Sequence, residues 1–266
     1  MGPESRPDDR SDHTPPMNAP RDWDAATYDR VAGPQTRWGA AVLDRLPLEG
    51  GETVLDAGAG SGRVTELLVE RLPRGRVIAL DASPAMIGEA RRRLERFGDR
   101  ISFVVADLGQ PIDLPGDGPV DAILSTATFH WVPDHDALFR NLAAVLRPGG
   151  LLVAQCGGAG NIAAVRAILA TIGDGWEGAA HYETPEATAD RLAAAGFTDI
   201  ETWLQSEPTR FEPGEPLETF LRTVILGGHV ERLPESERDA FVREVAGRMA
   251  EPVIDYVRLN IVATRT

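Results

Sequence analysis

One cysteine, Cys156, stands in a chain of 266 residues. A single thiol excludes an intramolecular disulfide framework and a multi-cysteine zinc site, which leaves the cytoplasm as the default compartment. Cys156 lies in the apolar run LLVAQC, where buried packing is expected rather than nucleophilic chemistry. Long hydrophobic runs are missing too, so no membrane partner is expected. The leading stretch MGPESRPDDRSDHTPPMNAP lacks the apolar centre of a secretory signal and reads as a disordered leader over 1–20. Positive charge is scarce: the formal net charge is −14. That balance disfavours nucleic acid as a partner, because phosphate binding needs a basic footprint. No metal is expected either. His130, Asp134, His135 and Asp136 cluster, yet their spacing matches no strong zinc pattern and Asp134 is explained as a helix cap.

What is present is an alternation. From Trp23 to about Cys156, short apolar strands are followed by turns and helical patterns, the signature of a parallel sheet flanked by helices. Strands are expected at Thr53–Asp56, Arg76–Asp81, Ile101–Ala106, Val120–Ser125 and Leu151–Cys156. Their continuous apolar character fits strands covered on both faces. Helices are expected at Arg63–Leu72, Pro84–Phe97 and His135–Leu146, with Ser83 capping Pro84. Beyond Cys156, helices are expected at Ile162–Ile172 and Thr188–Ala195, and a strand at Ile200–Leu204. The Pro- and Glu-rich stretch from Glu207 to Met249 reads as a helical insertion over the active site, and YVRLNIVATR as a strand closing the sheet edge. A single domain over 21–266 results, with 157–196 and 207–249 contributing substrate-side helices and a lid.

The most informative segment is Asp56-Ala57-Gly58-Ala59-Gly60-Ser61-Gly62, directly after a strand and opening a helix. Glycines there permit positive φ and close ligand approach, and the helix start offers unpaired N–H groups. A dinucleotide fingerprint would carry a further glycine where Arg63 stands. The next strand ends at Asp81, whose carboxylate can accept from both ribose hydroxyls of a nucleoside. The third ends at Ala106-Asp107-Leu108, where an adenine amine can donate to Asp107 and its ring can bury against Leu108 and Met86. Glycine loop and aspartates together, on three successive strand ends, form a nucleoside cradle.

VLDAGAGSGRVTELL, VIALDASPAMIGEARRRL, VVADL and LRPGGLLVAQ resemble the successive motifs of class I S-adenosylmethionine-dependent methyltransferases. The resemblance covers about Thr53 to Cys156. It implies a Rossmann-like α/β fold: a seven-stranded, mostly parallel sheet with helices on both faces, an antiparallel final strand and a helical lid. It also implies S-adenosylmethionine as cofactor, lying across the switch point. By position, Asp56 would lie near the amino-acid part and Gly58, Ala59, Gly60 and Gly62 against the cofactor. Asp81 and Ala82 would meet the ribose, Met86, Ala106, Asp107 and Leu108 the adenine, and Ser125 the end of the fourth strand. FHWVPDHDALFRNLAAVLRPGGLLVAQ resembles the trans-aconitate methyltransferase group, whose members methylate small carboxylic acids.

A sulfonium is already electrophilic, so the protein's main task is to hold an acceptor atom in line with the methyl group. A carboxylate acceptor needs no base, whereas an alcohol or phenol does. His130 is the candidate catalytic residue, as base or as hydrogen-bonding partner. Trp23, Tyr28, Trp131, Asn161, Arg210 and Arg222 are candidates for the small-molecule acceptor's side, the first two in an aromatic amino-terminal flap. Two other classes stay open at this point: a nicotinamide-dependent oxidoreductase, and a non-catalytic module that binds S-adenosylmethionine to regulate a partner.

Overall fold

The computed structural model describes residues 33–266 apart from 117, 173, 174 and 177; the leader, Trp23 and Tyr28 lie outside the described residues. The first described helix, α1 (Gly33–Leu43), precedes a repeating strand–helix series: β1 (Thr53–Ala57), α2 (Arg63–Glu70), β2 (Arg76–Asp81), α3 (Pro84–Leu94), β3 (Ile101–Val105), β4 (Val120–Thr126), α4 (His135–Val145) and β5 (Leu146–Gly157). Then come α5 (Ala163–Leu169), α6 (Pro185–Ala194) and β6 (Phe197–Ser206). A helical segment follows, with α7 (Glu215–Phe220), a π-turn at Leu221–Ile225, α8 (Gly227–Glu231) and α9 (Glu235–Arg248). It is bracketed by β7 (Thr209–Arg210) and β8 (Val253–Ile254), which pair as a small ribbon, and β9 (Val257–Arg265) ends the series.

Seven strands form one sheet in the order β3-β2-β1-β4-β5-β9-β6. All neighbours pair in parallel up to β5, and β9 runs antiparallel to both β5 and β6. The order reverses between β1 and β4, which opens a crevice at their carboxyl ends. Alternation along the strands feeds two cores. Leu55, Ile78, Leu80, Ile123 and Leu152 share one face with Phe129, Leu138 and Phe139. Val54, Val77, Ala79, Leu124 and Val153 share the other with α2 and α3 residues such as Leu68 and Leu94. A third cluster joins Trp38 of α1 and Val165 of α5 to Phe220, Val242 and Tyr256, so the helical segment sits on the helix that leaves β5.

The strand expectations hold to within a residue or two, except that β5 begins at Leu146. Three expectations need correction. The tail does not close the sheet edge: β9 is inserted between β5 and β6, and β6 is the edge. β6 is also longer than expected, because its largely exposed residues alternate weakly in hydropathy and hide its ends. The stretch expected to be helical from Glu207 contains the short β7 as well.

Helix α4 is fixed by Asp134, whose side chain accepts from the Ala137 N–H at 2.8 Å, and by Phe139, which meets Phe129 edge to face at 5.9 Å. Phe139 is fully buried, so Phe139→Ala is expected to lower stability by roughly 3–5 kcal/mol, read as a fall in urea-unfolding midpoint.

Candidate functional site

The loop after β1 is shaped by its neighbours on both sides. The N–H groups of Gly58 and Ala59 both donate to the Leu80 carbonyl, at 2.8 and 2.9 Å. On the other flank Ser125 Oγ donates to the Ala57 carbonyl at 2.6 Å and Thr128 Oγ1 to the Gly58 carbonyl at 3.3 Å. A Cβ at Gly58, where φ is +89°, would fall 2.1 Å from Thr128 Oγ1, so only glycine lets the tips of β1 and β4 meet. Gly60 has the opposite surroundings: a Cβ there would meet nothing within 4 Å, which leaves the outer face of the loop open to a ligand. Ala127 adopts φ +57° just beyond β4, a strained conformation of the sort that gathers at functional sites.

Asp81 is held at both oxygens. Oδ2 accepts from the Gly60 N–H and Oδ1 from the Ser83 N–H, each at 2.9 Å. A carboxylate oxygen can accept more than one hydrogen bond. Ala82 lies half-buried beside it, and Met86 is buried in the first turn of α3. At the adjacent tip Asp107 Oδ1 accepts from the Gly109 N–H at 2.8 Å. Half-buried Ala106 donates its N–H to the Asp81 carbonyl at 3.1 Å. Val105, aligned with Asp81 across β2 and β3, is 52% exposed. It was missed in the sequence because an exposed strand-end valine looks like every other strand valine.

Asp56 is 1% exposed and accepts from Thr65 Oγ1 at 2.6 Å, while its Oδ1 has no hydrogen-bond partner among the described residues. Burial, and then the nearby Asp81 charge, push its carboxyl from the ordinary 3.8 to about 7, against the opposing Thr65 hydrogen bond. An orphaned buried oxygen beside a second carboxylate is a place for a cationic group, so this corner fits the ammonium and sulfonium charges of S-adenosylmethionine.

Three expected cofactor contacts also have structural roles. Gly62, at φ +84°, caps α2 where a Cβ would lie 3.0–3.3 Å from Leu94 and Ala90, so it permits helix packing. Ser125 ties β4 to β1, as above. Leu108 is buried in the core with Phe129 and Val132.

A second cluster lies at the tips of β4, β5 and β9. His130 is 6% exposed, and its Nδ1 accepts from the Gly157 N–H at 3.2 Å. A neutral imidazole in that bond carries its hydrogen on Nε2. Burial and the Arg258 charge hold His130 well below the usual histidine range. Its ring stacks on Tyr182 at 5.8 Å. Asn161 links the group: Oδ1 accepts from the Val257 N–H at 2.9 Å, and its side chain is hydrogen-bonded to the Tyr182 hydroxyl. Burial pushes the Cys156 thiol up to about 12, which keeps it out of nucleophilic chemistry at neutral pH.

Trp131, 37% exposed, flanks His130 at 4.9 Å between rings. Arg210 is exposed and Arg222 half-buried, and each forms an ion pair with an acidic neighbour, Glu251 and Asp239. Tyr182 and Arg258 were missed. For Arg258 the available signal was an arginine flanked by apolar residues near the start of the strand YVRLNIVATR.

Because folding raises the Asp56 pKa, its contribution to stability is whole below about pH 4 and is lost as pH rises through about 7. Urea midpoints are expected to fall over that window more steeply in the wild type than in Asp56→Asn. Parallel profiles for the two proteins would contradict the raised pKa.

Comparison with known proteins agrees with this geometry. A family model described as a methyltransferase domain matches residues 54–150. Trans-aconitate 2-methyltransferase of Azoarcus sp. is 32% identical over 228 residues, which cover 83% of this chain and 86% of that protein. The enzyme of the same name from Methylobacterium nodulans is 42% identical over 134 residues, 50% of this chain, and the match spans 49% of its length. Phosphoethanolamine N-methyltransferase 2 of Haemonchus contortus, in complex with S-adenosyl-L-methionine, has the same fold. Its TM-score is 0.61 at 19% identity over 91% of this chain and 56% of that one. The nicotinamide and non-catalytic alternatives fall away with these matches. By its sheet order, its glycine loop and its full-length relatives, this chain belongs to the class I S-adenosylmethionine-dependent methyltransferases.

Proposed function

We propose that the chain methylates a carboxylate oxygen of a small organic acid. One observation carries this choice of acceptor. His130, the polar side chain at the tip of β4, uses Nδ1 to accept from Gly157 and is held neutral, so what it offers the crevice is an Nε2–H donor. An alcohol or phenol would need a base there, whereas a carboxylate arrives already deprotonated and needs orientation. The names of the relatives favour the same reading.

When bound, S-adenosylmethionine supplies the electrophilic methyl group. Asp81 would hold the ribose hydroxyls, and Asp107 the adenine amine, with Val105 and Met86 against the ring. Asp56 would face the amino-acid end, and the open side of Gly60 would receive the backbone of the ligand. On the acceptor side, the His130 donor, the Tyr182 hydroxyl and Asn161 would fix the acid. The helical segment between β6 and β9, seated on α5, would cover it and exclude water.

The test is methyl transfer from labelled S-adenosylmethionine to a panel of organic acids, alcohols and phenols. Turnover of acids alone is expected, and transfer restricted to alcohols or phenols would overturn the reading. His130→Phe, which removes the donor, is expected to lower kcat/KM roughly 10–100-fold, the scale for losing one hydrogen bond to a charged group. Wild-type kcat should stay level across about pH 6–8, where an unperturbed histidine would titrate. Asp81→Ala should weaken S-adenosylmethionine binding by about 1–3 kcal/mol in calorimetry. Unchanged affinity in the folded variant would remove Asp81 from the ribose.

A further inference from the structure

His135 is the second histidine of the segment FHWVPDH, and nothing in the proposed chemistry uses it. It is the first residue of α4, directly after the Asp134 cap, yet it is only 5% exposed. Burial holds its pKa below the ordinary histidine range, against the opposing effects of the Phe129 hydrogen bond and the Glu183 charge. A helix N-terminus disfavours a cation as well. The side chain is therefore a neutral imidazole, with one donor and one acceptor nitrogen.

The neighbour of Nε2 decides which is which. Nε2 lies 3.0 Å from the Phe129 carbonyl oxygen. A carbonyl only accepts, so the hydrogen sits on Nε2 and is donated there. Nδ1 keeps its lone pair and has no hydrogen-bond partner among the described residues. Phe139 packs against the ring at 6.0 Å, and Glu183, Arg191 and His181 are the titratable groups around it. Arg191 pairs with Glu183 at 3.0 Å and with Asp136 at 3.4 Å, which ties the first turn of α4 to α6.

What His135 holds is the turn that carries His130. Three carbonyls in succession are taken. Thr128 accepts from the Trp131 N–H at 2.8 Å, Phe129 from the Val132 N–H at 3.0 Å as well as from His135, and His130 from the His181 N–H at 2.7 Å. A three-residue 3₁₀ turn has poor hydrogen-bond geometry of its own, so contacts from outside fix its orientation. The carbonyl that His135 takes belongs to the peptide leading directly into His130, and the Gly157 N–H then sets the angle of the ring through Nδ1. We propose that His135 is a positioning residue, whose hydrogen bond to the Phe129 carbonyl holds His130 with Nδ1 on Gly157 and its Nε2–H toward the acceptor. This rests on the proposed role of His130, but the tether itself can be read without turnover.

The test compares three variants of the full chain with wild type, each checked for folding by circular dichroism. His135→Gln places an amide donor where Nε2 stands, His135→Asn carries the same amide one carbon short, and His135→Phe keeps a ring without a donor. In NMR of the ring nitrogens, wild type and His135→Gln are expected to show His130 neutral, with its hydrogen on Nε2, across about pH 6–8. In His135→Phe and His135→Asn, His130 should lose that single tautomer and the Gly157 amide should exchange with solvent about 10-fold faster or more. For the acid that wild type methylates, kcat/KM should fall roughly 5–20-fold in those two variants and recover to within about 3-fold in His135→Gln. S-adenosylhomocysteine affinity should stay level in all three. In a His130→Phe background, His135→Phe should change activity by no more than about 2-fold, because a residue that acts through another is silent once that one is gone. A wild-type Gly157 amide in folded His135→Phe, equal losses in His135→Gln and His135→Asn, a matching loss of S-adenosylhomocysteine affinity, or additive losses in the double variant would overturn the assignment. If His135→Phe does not fold, His135→Asn against His135→Gln decides by the same readouts. If the NMR changes appear but no acid is methylated, the tether stands and the acid-methylation reading fails.

Discussion

The hydrogen bonds that tie the tip of β1 to its neighbours are the constraint on which the site depends. Leu80 receives two loop N–H groups on one side, and Ser125 and Thr128 reach back to the carbonyls of Ala57 and Gly58 on the other. Together they hold a five-residue loop in a conformation that L side chains resist, and they do so without using Gly60's outer face. The cradle is thus set by backbone geometry before any ligand arrives, which is the sort of preorganisation that reduces the ordering cost of binding.

Charge is divided across the crevice. The β1–β2 side presents Asp56 and Asp81, against a cofactor that carries an ammonium and a sulfonium. The β5–β9 side holds the buried Arg258 and, beside it, His130, which burial and the Arg258 charge keep well below the usual histidine range.

Much of this was legible in the sequence. The continuous apolar strands, the Ser83-Pro84 helix start and the glycine loop locate β1 to β5 and the loop after β1 with little error, because each rests on local chemistry. The acceptor side was read less well for a physical reason. Arg258, Tyr182 and Trp38 come together only through the antiparallel insertion of β9 and the packing of α1, contacts between residues far apart in the chain. Arg210 and Arg222 were candidates because the insertion was expected to cover the site, and each is ion-paired with an acidic neighbour. Gly62 and Ser125 show the converse limit: a residue in a motif can serve the fold of that motif rather than its ligand.

The insertion of β9 between β5 and β6 also sets an order of assembly. β6 is synthesised about sixty residues before its only sheet partner, so it has no ladder to join until the final strand emerges. The segment from β1 to β5 can meanwhile pair within itself, strand by strand, as it leaves the ribosome. The β1–β5 part of the crevice is therefore a product of early pairing between neighbouring strands, whereas the β5–β9–β6 part waits on the last strand to be made.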